Sequence, residues 1–197
     1  MSMWAHDKQP PPDYPYTRAV SAHSAAVQLY ARSGQLATAD LLLSRGKCVE
    51  KRCRLGCDEI ESARHIFVKC SHYQQWRDDA QNQTIEQTAL KLVAMQIEGA
   101  VMNNLVYAAK SLFSDNPAVW PLHLTMYYLG QIPVLDTVIP PNHGLSKTTL
   151  LKLKTHISSE WHTSSIRLAG RIFGDFQRRM AIFNNIPLRS LSRPSRT

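Results

Sequence analysis

The chain has 197 residues, 44% of them hydrophobic and 19% charged, with 4 cysteines, 8 glycines and 11 prolines. These proportions exclude a wholly disordered chain, a collagen and a disulfide-dense small scaffold, and no apolar run reaches the roughly 18 residues of a membrane-spanning helix. The formal net charge of +8 is uneven: residues 145–197 hold 10 basic and 2 acidic side chains, so they carry the whole excess, and nothing after Asp175 is acidic. That asymmetry suits a polyanionic partner such as nucleic acid, because each neutralised phosphate releases a counterion. A solvated helix face followed by a basic tail accounts for it equally well. Met1 to Pro15 contain no apolar stretch of signal-peptide length, so a soluble, intracellular protein is expected, with thiols that stay free or bind metal.

In chain order, residues 1–16 read as a disordered lead-in. From Thr17, an Ala-rich pattern through Ala19, Val20, Ala25, Val27, Leu29 and Tyr30 predicts a helix that Ser33-Gly34 interrupts. A short helix is expected from Thr38 to Leu43. The stretch 48–70 has too little periodicity to be one long element. Residues 74–98 predict a helix with Trp76, Ala80, Ile85, Ala89, Leu92, Val93 and Ile97 on one face, broken at Gly99. A further helix, about 101–113, places Val101, Leu105, Ala108, Ala109, Leu112 and Phe113 inward.

Trp120 to Leu129 reads as a short helix, with Pro121 at its start and Gly130 at its close. Pro133, Pro140 and Pro141 predict a stiff extended connection. The longest element opens near Ser146. Leu150, Leu153, Ile157, Trp161, Ser164, Leu168, Ile172, Phe176, Met180 and Phe183 recur every three or four residues, one apolar stripe on a long helix. Lys152, Lys154, Arg167, Arg171 and Arg178 fall off that stripe, toward solvent. The organisation expected is therefore a lead-in (1–16), a helix plus knuckle (17–80), a short helical segment (81–135), a long basic amphipathic helix (145–183) and a disordered basic tail (184–197). The fold class is mainly α, with a small Cys/His knuckle between helices and a long C-terminal helix.

All four cysteines lie within 48–70, spaced Cys48-x4-Cys53-x3-Cys57-x7-His65-x4-Cys70. A structural Zn²⁺ takes four tetrahedral thiolate and imidazole ligands, commonly as one close pair on a knuckle and a second pair further on. Cys53 and Cys57 suit the close pair, with Gly56 allowing the turn between them, and His65 and Cys70 the second. Metal binding would supply the ordering free energy that so short and polar a loop lacks. The competing view is of small buried hydrophobes or unrelated free thiols. Cys48 competes as a ligand but is less typically spaced from Cys57, and His72 competes with His65 but follows Cys70 too closely. Four protein ligands leave no open position for water, so the zinc is expected to be structural rather than catalytic.

The words around these residues resemble a family. Cys53-Arg-Leu-Gly-Cys57, Glu61-Ser62, His65-Ile-Phe-Val-Lys-Cys70 and Tyr73 are similar to the zinc-binding domain that follows the reverse transcriptase in non-LTR retrotransposon polyproteins. Ser33-Gly34-Gln35-Leu36 resembles that family's short entry motif, with Gln35 where His is usual. Ala109 to Phe113, Trp120 to His123, Tyr128 to Pro133 and the terminal helix resemble the tail of its fungal members. The resemblance covers residues 30–183. It implies Cys53, Cys57, His65 and Cys70 as metal ligands, nucleic-acid handling (RNA or DNA) and a reverse transcriptase or related polyprotein as parent.

The chain is not expected to be an enzyme. Paired polymerase aspartates are missing, and Asp78-Asp79 after Trp76-Arg77 reads as a solvated helix face; no carboxylate array for an RNase H site appears. His143, His156 and His162 would have to converge for a metal-dependent nuclease, and ordinary polar histidines are the expectation. Trp161 and Phe173 could stack on bases, but Trp161 lies on the apolar stripe and is expected in the core. For nucleic acid, Arg45, Lys47, Lys51, Arg52 and Arg54 around the first knuckle are the first choice, and Arg178 and Arg179 with the tail arginines the second. A nuclear location would follow. The alternative is a protein-interaction remnant that packed on a polymerase, without nucleic-acid binding of its own.

Overall fold

The computed structural model describes residues 21–120 and 122–183. The lead-in 1–16, the first helix's start at Thr17, Pro121 and the tail 184–197 lie outside them. The described helices are α1 (Ala22–Arg32), α2 (Ala39–Ser44), α3 (Gln74–Ala94), α4 (Gly99–Ala109), α5 (Leu135–Val138) and α6 (Lys147–Phe183). Between α2 and α3 lies the cysteine-rich segment. It ends in a π-helical turn, His65–Lys69, and a 3-10 turn, Ser71–Tyr73. No strand forms among the described residues, where a lone antiparallel bridge pairs Arg52 with Ile60.

The spine is α6, whose 37 residues span about 55 Å at 1.5 Å per residue. Ser146 opens it, its Oγ accepting the Thr149 N–H at 3.1 Å. Leu153, Ile157, Trp161, Leu168, Ile172, Phe176 and Met180 are buried along the expected stripe. Ile166, Ala169 and Phe173 are buried as well, because helices cover the middle of α6 on more than one side. On one side α1 crosses it so closely that a Cβ on Gly170 would lie 2.1 Å from Ser24 Oγ and 2.9 Å from Ser24 Cα. On another, α3 runs antiparallel. Thr84 Oγ1 lies 2.6 Å from Ser164 Oγ, Trp161 Nε1 donates to Thr88 Oγ1 at 2.9 Å, and the Tyr73 hydroxyl donates to Asp175 at 3.2 Å.

Two expectations are corrected. The apolar set read from the pattern is only part of the inner face of α3: Leu92 and Ile97 are buried and Trp76, Ala80 and Ile85 pack half-buried against the core, but Arg77, Thr84 and Thr88 are buried with them and Val93 is 64% exposed. Polar residues are tolerated there because each has a partner, Thr84 donating to Ala80 O at 2.7 Å. The second correction concerns Trp120–Leu129, where the described residues form only a 3-10 turn, Tyr127–Leu129, closed by Gly130 at φ 78°. The Asp115 carboxylate captures the Thr125 N–H at 2.9 Å and Leu112 O captures its hydroxyl at 2.7 Å, which fixes the preceding backbone in an irregular path. The Pro-rich connection also contains the single turn α5, whose Asp136 pairs with Lys154 on α6.

Candidate metal centre

Between Lys51 and Glu61 the chain doubles back. Cys53 N donates to Glu59 O at 2.9 Å and Glu61 N to Lys51 O at 2.8 Å, with the Arg52–Ile60 bridge between these bonds. At the tip, Gly56 takes φ 91°, a left-handed conformation that suits glycine, and its N–H donates to Cys53 O at 3.0 Å. That turn brings Cys53 and Cys57 to one side.

The second pair is aligned differently. In an α-helix, residues five apart point about 140° away from each other. Here the turn is π-helical, and Cys70 N donates to His65 O at 2.7 Å, an i→i+5 bond that returns Cys70 to the side His65 occupies. One donor atom from each of Cys53, Cys57, His65 and Cys70 lies within 4.8 Å of the others. All four cysteines are free thiols, and the 3.6 Å between the sulfurs of Cys57 and Cys70 is far too long for a disulfide, at about 2.05 Å. It matches sulfurs sharing a tetrahedral ion at about 2.3 Å each, which sit roughly 3.8 Å apart. The four residues lie close enough to bind a metal ion.

Two features of His65 fit that use. Its Nδ1 lies 2.9 Å from Glu59 Oε2, which leaves Nε2 as the nitrogen available to a metal. Nε2 is buried and has no hydrogen-bond partner among the described residues. A buried polar nitrogen without a partner is costly, and coordination would satisfy it. A carboxylate on the far nitrogen of a ligating histidine fixes its tautomer and raises its basicity.

The thiols differ in acidity. Burial works against the Cys57 thiolate, but hydrogen bonds from Ser71 and Cys70 outweigh it and bring the thiol down to about 7. Burial pushes Cys70 up to about 12, and also raises Cys53. Three crowded thiols resist ionising together, and a divalent cation among them reverses that preference.

The surrounding charges anchor the segment. Glu61 is fully buried; its Oε1 accepts the Ala39 N–H at 2.8 Å and Arg54 Nη2 at 2.6 Å, and its Oε2 accepts the Arg54 N–H at 2.8 Å. One carboxylate thus joins the start of α2 to the knuckle. Arg54 also donates to Ala37 O at 3.1 Å and lies over the Phe176 ring of α6 at 5.3 Å. Arg64 Nη2 donates to both carboxylate oxygens of Asp115, at 2.6 and 2.5 Å. Burial opposes the Asp115 carboxylate, yet Arg64, the Thr125 N–H and Lys69 hold it below the usual range. Beneath the centre, Phe67 stacks on Tyr128 at 5.2 Å and accepts the Tyr127 hydroxyl at 2.7 Å.

Of the competing ligands, Cys48 stands outside the cluster, its thiol facing Ala39 O at 3.4 Å and Glu50 O at 3.2 Å. His72 is exposed and edge-on to Tyr73. No second group of three or more metal donors occurs among the described residues. His143 accepts the Leu145 N–H at 2.9 Å, His156 is exposed, and His162 is buried against the Gly130 backbone, so the three do not converge. Trp161 and Phe173 are core residues, 0% and 3% exposed.

The basic candidates divide. Arg45, Lys47, Lys51 and Arg52 are exposed around the hairpin, whereas Arg54 turns inward to Glu61. Arg178 and Arg179 are exposed and share Asp175. Sequence reasoning left three residues without a structural part: Glu59, Glu61 and Arg77. The available signal was a carboxylate pair inside the cysteine-rich loop, beside a histidine. Arg77 carried none, since its neighbours Asp78 and Asp79 are exposed as a solvated face would be. No described helix is long and apolar enough to cross a membrane. No family model, curated protein or solved structure matches this chain.

Proposed function

We propose that this chain is a zinc-structured module that binds nucleic acid, of the kind found C-terminal to the reverse transcriptase in non-LTR retrotransposon polyproteins. The observation that carries it is the convergence of Cys53, Cys57, His65 and Cys70 with a buried, unpartnered Nε2. Three thiolates and an imidazole favour zinc over the hard cations, which prefer oxygen. Four protein donors fill a tetrahedral shell, so the ion would hold the hairpin and π-turn in place and would not act on a substrate. The charge concentrated in residues 145–197 supports a polyanionic partner, RNA or DNA, and with it a nuclear site of action. The motif words around the ligands support descent from a reverse transcriptase polyprotein.

The test is binding of the zinc-loaded chain to labelled RNA and DNA oligonucleotides over a range of salt. The expected result is an affinity that falls log-linearly as salt rises and is lost when zinc is stripped. No binding at low salt would refute the nucleic-acid reading. Stoichiometric zinc in the same sample would leave the metal centre standing.

A further inference from the structure

Ion pairing separates the arginines into engaged and free ones, while exposed Lys47 and Lys51 near the hairpin also have no carboxylate partner among the described residues. Around the hairpin, Arg52 pairs with Glu50 at 3.5 Å and Asp58 at 2.5 Å, Arg54 with buried Glu61, and Arg45 donates to the Gln35 amide oxygen. Arg178 and Arg179 divide Asp175 between them. Arg167 and Arg171 are different. They lie one turn apart on α6, both are exposed, and neither has a carboxylate within ion-pair distance among the described residues. Arg171 instead lies over the Trp76 ring, its guanidinium carbon 4.2 Å from the centroid.

These two cations border a shallow depression of about 100 Å³ between α3 and α6, whose walls include Ala80, Gln83, Ser164 and Leu168. Glu160 lies at its far end and limits the basic stretch there. At 100° per residue, positions 167, 171 and 178 fall within about 40° of one another, so Arg178 extends the same stripe. The helix that forms the α3 wall of the groove starts four residues after Cys70. Trp76 follows Cys70 at the start of α3, its ring 5.4 Å from that of Tyr73, and the Tyr73 hydroxyl reaches Asp175.

We propose that this α3–α6 groove is where the chain holds a single-stranded nucleic acid, with Arg167 neutralising phosphate and the Arg171–Trp76 pair presenting a cationic plane to a base. The inference rests on the nucleic-acid reading above and gives it a location. A positively charged groove with an aromatic platform is what single-strand binders use. Unstacked bases lie on aromatic rings or guanidinium planes, which a paired duplex does not offer. Arg52 and Arg54 at the hairpin would first have to release their carboxylates, so they contribute less.

The test measures binding of the zinc-loaded full chain to a labelled single-stranded oligonucleotide, with a duplex of the same sequence as competitor. Arg167→Gln/Arg171→Gln is expected to weaken binding at least about tenfold and to lower the slope of log affinity against log salt by about 1, for the one phosphate contact assigned to Arg167. Trp76→Leu is expected to weaken single-strand binding with little change in that slope. Lys47→Gln/Lys51→Gln is expected to lose less than the groove pair. Wild-type affinity in the groove variant, a larger loss in the lysine variant, or equal competition by duplex would overturn the groove while leaving nucleic-acid binding intact. Absence of binding by the wild-type chain would overturn both.

Discussion

Glu59 Oε2 lies 2.9 Å from Nδ1 of His65, and this contact decides which nitrogen of the ring faces the three sulfurs. The carboxylate is largely exposed while the imidazole is 3% exposed, so a surface residue sets the tautomer of a buried one. Glu59→Gln keeps the shape but loses the charge that raises imidazole basicity. Loss of such a partner typically costs 10- to 100-fold in metal affinity, so competition with a chromogenic chelator should show a drop of about that size while the loaded variant keeps wild-type helicity. Unchanged affinity would mean that the contact does not orient the ligand.

The ligand set is tested by two serine substitutions. Cys57→Ser removes a donor and should leave substoichiometric zinc and a lost or broadened melting transition. Cys48→Ser should retain one zinc per chain, because that thiol faces carbonyl oxygens away from the cluster. Native mass spectrometry distinguishes the two, and the opposite pattern would reverse the choice.

Arg77 is 3% exposed and has no carboxylate in ion-pair contact among the described residues. It donates to Cys70 O at 2.9 Å and Gln74 Oε1 at 2.7 Å, with a longer bond to Phe67 O at 3.5 Å. Burial lowers its pKa, yet a guanidinium stays charged, so an isolated cation there would be costly. Three thiolates, a neutral imidazole and Zn²⁺ sum to one negative charge, which this cation would balance. Arg77→Met should therefore destabilise the zinc-loaded chain by about 3 kcal/mol in denaturant melts. Arg77→Lys should not restore it, since an ammonium lacks the planar fork. A variant as stable as wild type would show that the charge is not needed.

How much of this was legible in the sequence depends on where periodicity operates. The stripe of α6 and the inward residues of α4 are apolar at helical spacing, and burial follows that pattern. The α3 face was legible in part: Leu92 is buried and Trp76, Ala80 and Ile85 pack on the core, but Arg77, Thr84 and Thr88 are buried through specific hydrogen bonds, which no hydropathy pattern encodes. Cys53, Cys57, His65 and Cys70 were legible from spacing and residue type. The π-turn that aligns the second pair was not, since it rests on a backbone hydrogen bond that spans five residues instead of four and that no residue type marks. Nor was the division of the arginines, which depends on carboxylates brought near by folding.

The α1–α6 crossing depends on Gly170. A methyl group there would meet Ser24 at both Oγ and Cα, and backbone cannot swing aside as a side chain can. Gly170→Ala should cost about 1–3 kcal/mol despite alanine's better helix propensity. A stabilised Gly170→Ala chain would contradict the close approach. Gly170→Ala with Ser24→Gly should recover part of the loss.

His162 supplies a pH dependence. Burial lowers its pKa from 6.5 to about 4. The unfolded chain takes up this proton near pH 6.5 and the folded chain only near 4, so stability is full above 6.5 and falls through that window. The loss attributable to this residue is about 3 kcal/mol. Metal ligands also protonate on acidification, so the informative quantity is the difference between wild type and His162→Phe. That difference should change with pH between 6.5 and 4; a constant difference would contradict the burial of a neutral ring.

The central claim is that a metal ion joins the hairpin to the π-turn. Its most direct test is the zinc content of the purified chain together with its thermal melt before and after chelation. The account predicts one zinc per chain and a transition that shifts well down, or disappears, when the ion is removed and returns when it is restored. A chain with no bound metal, whose melt is indifferent to both chelator and added zinc, would contradict it.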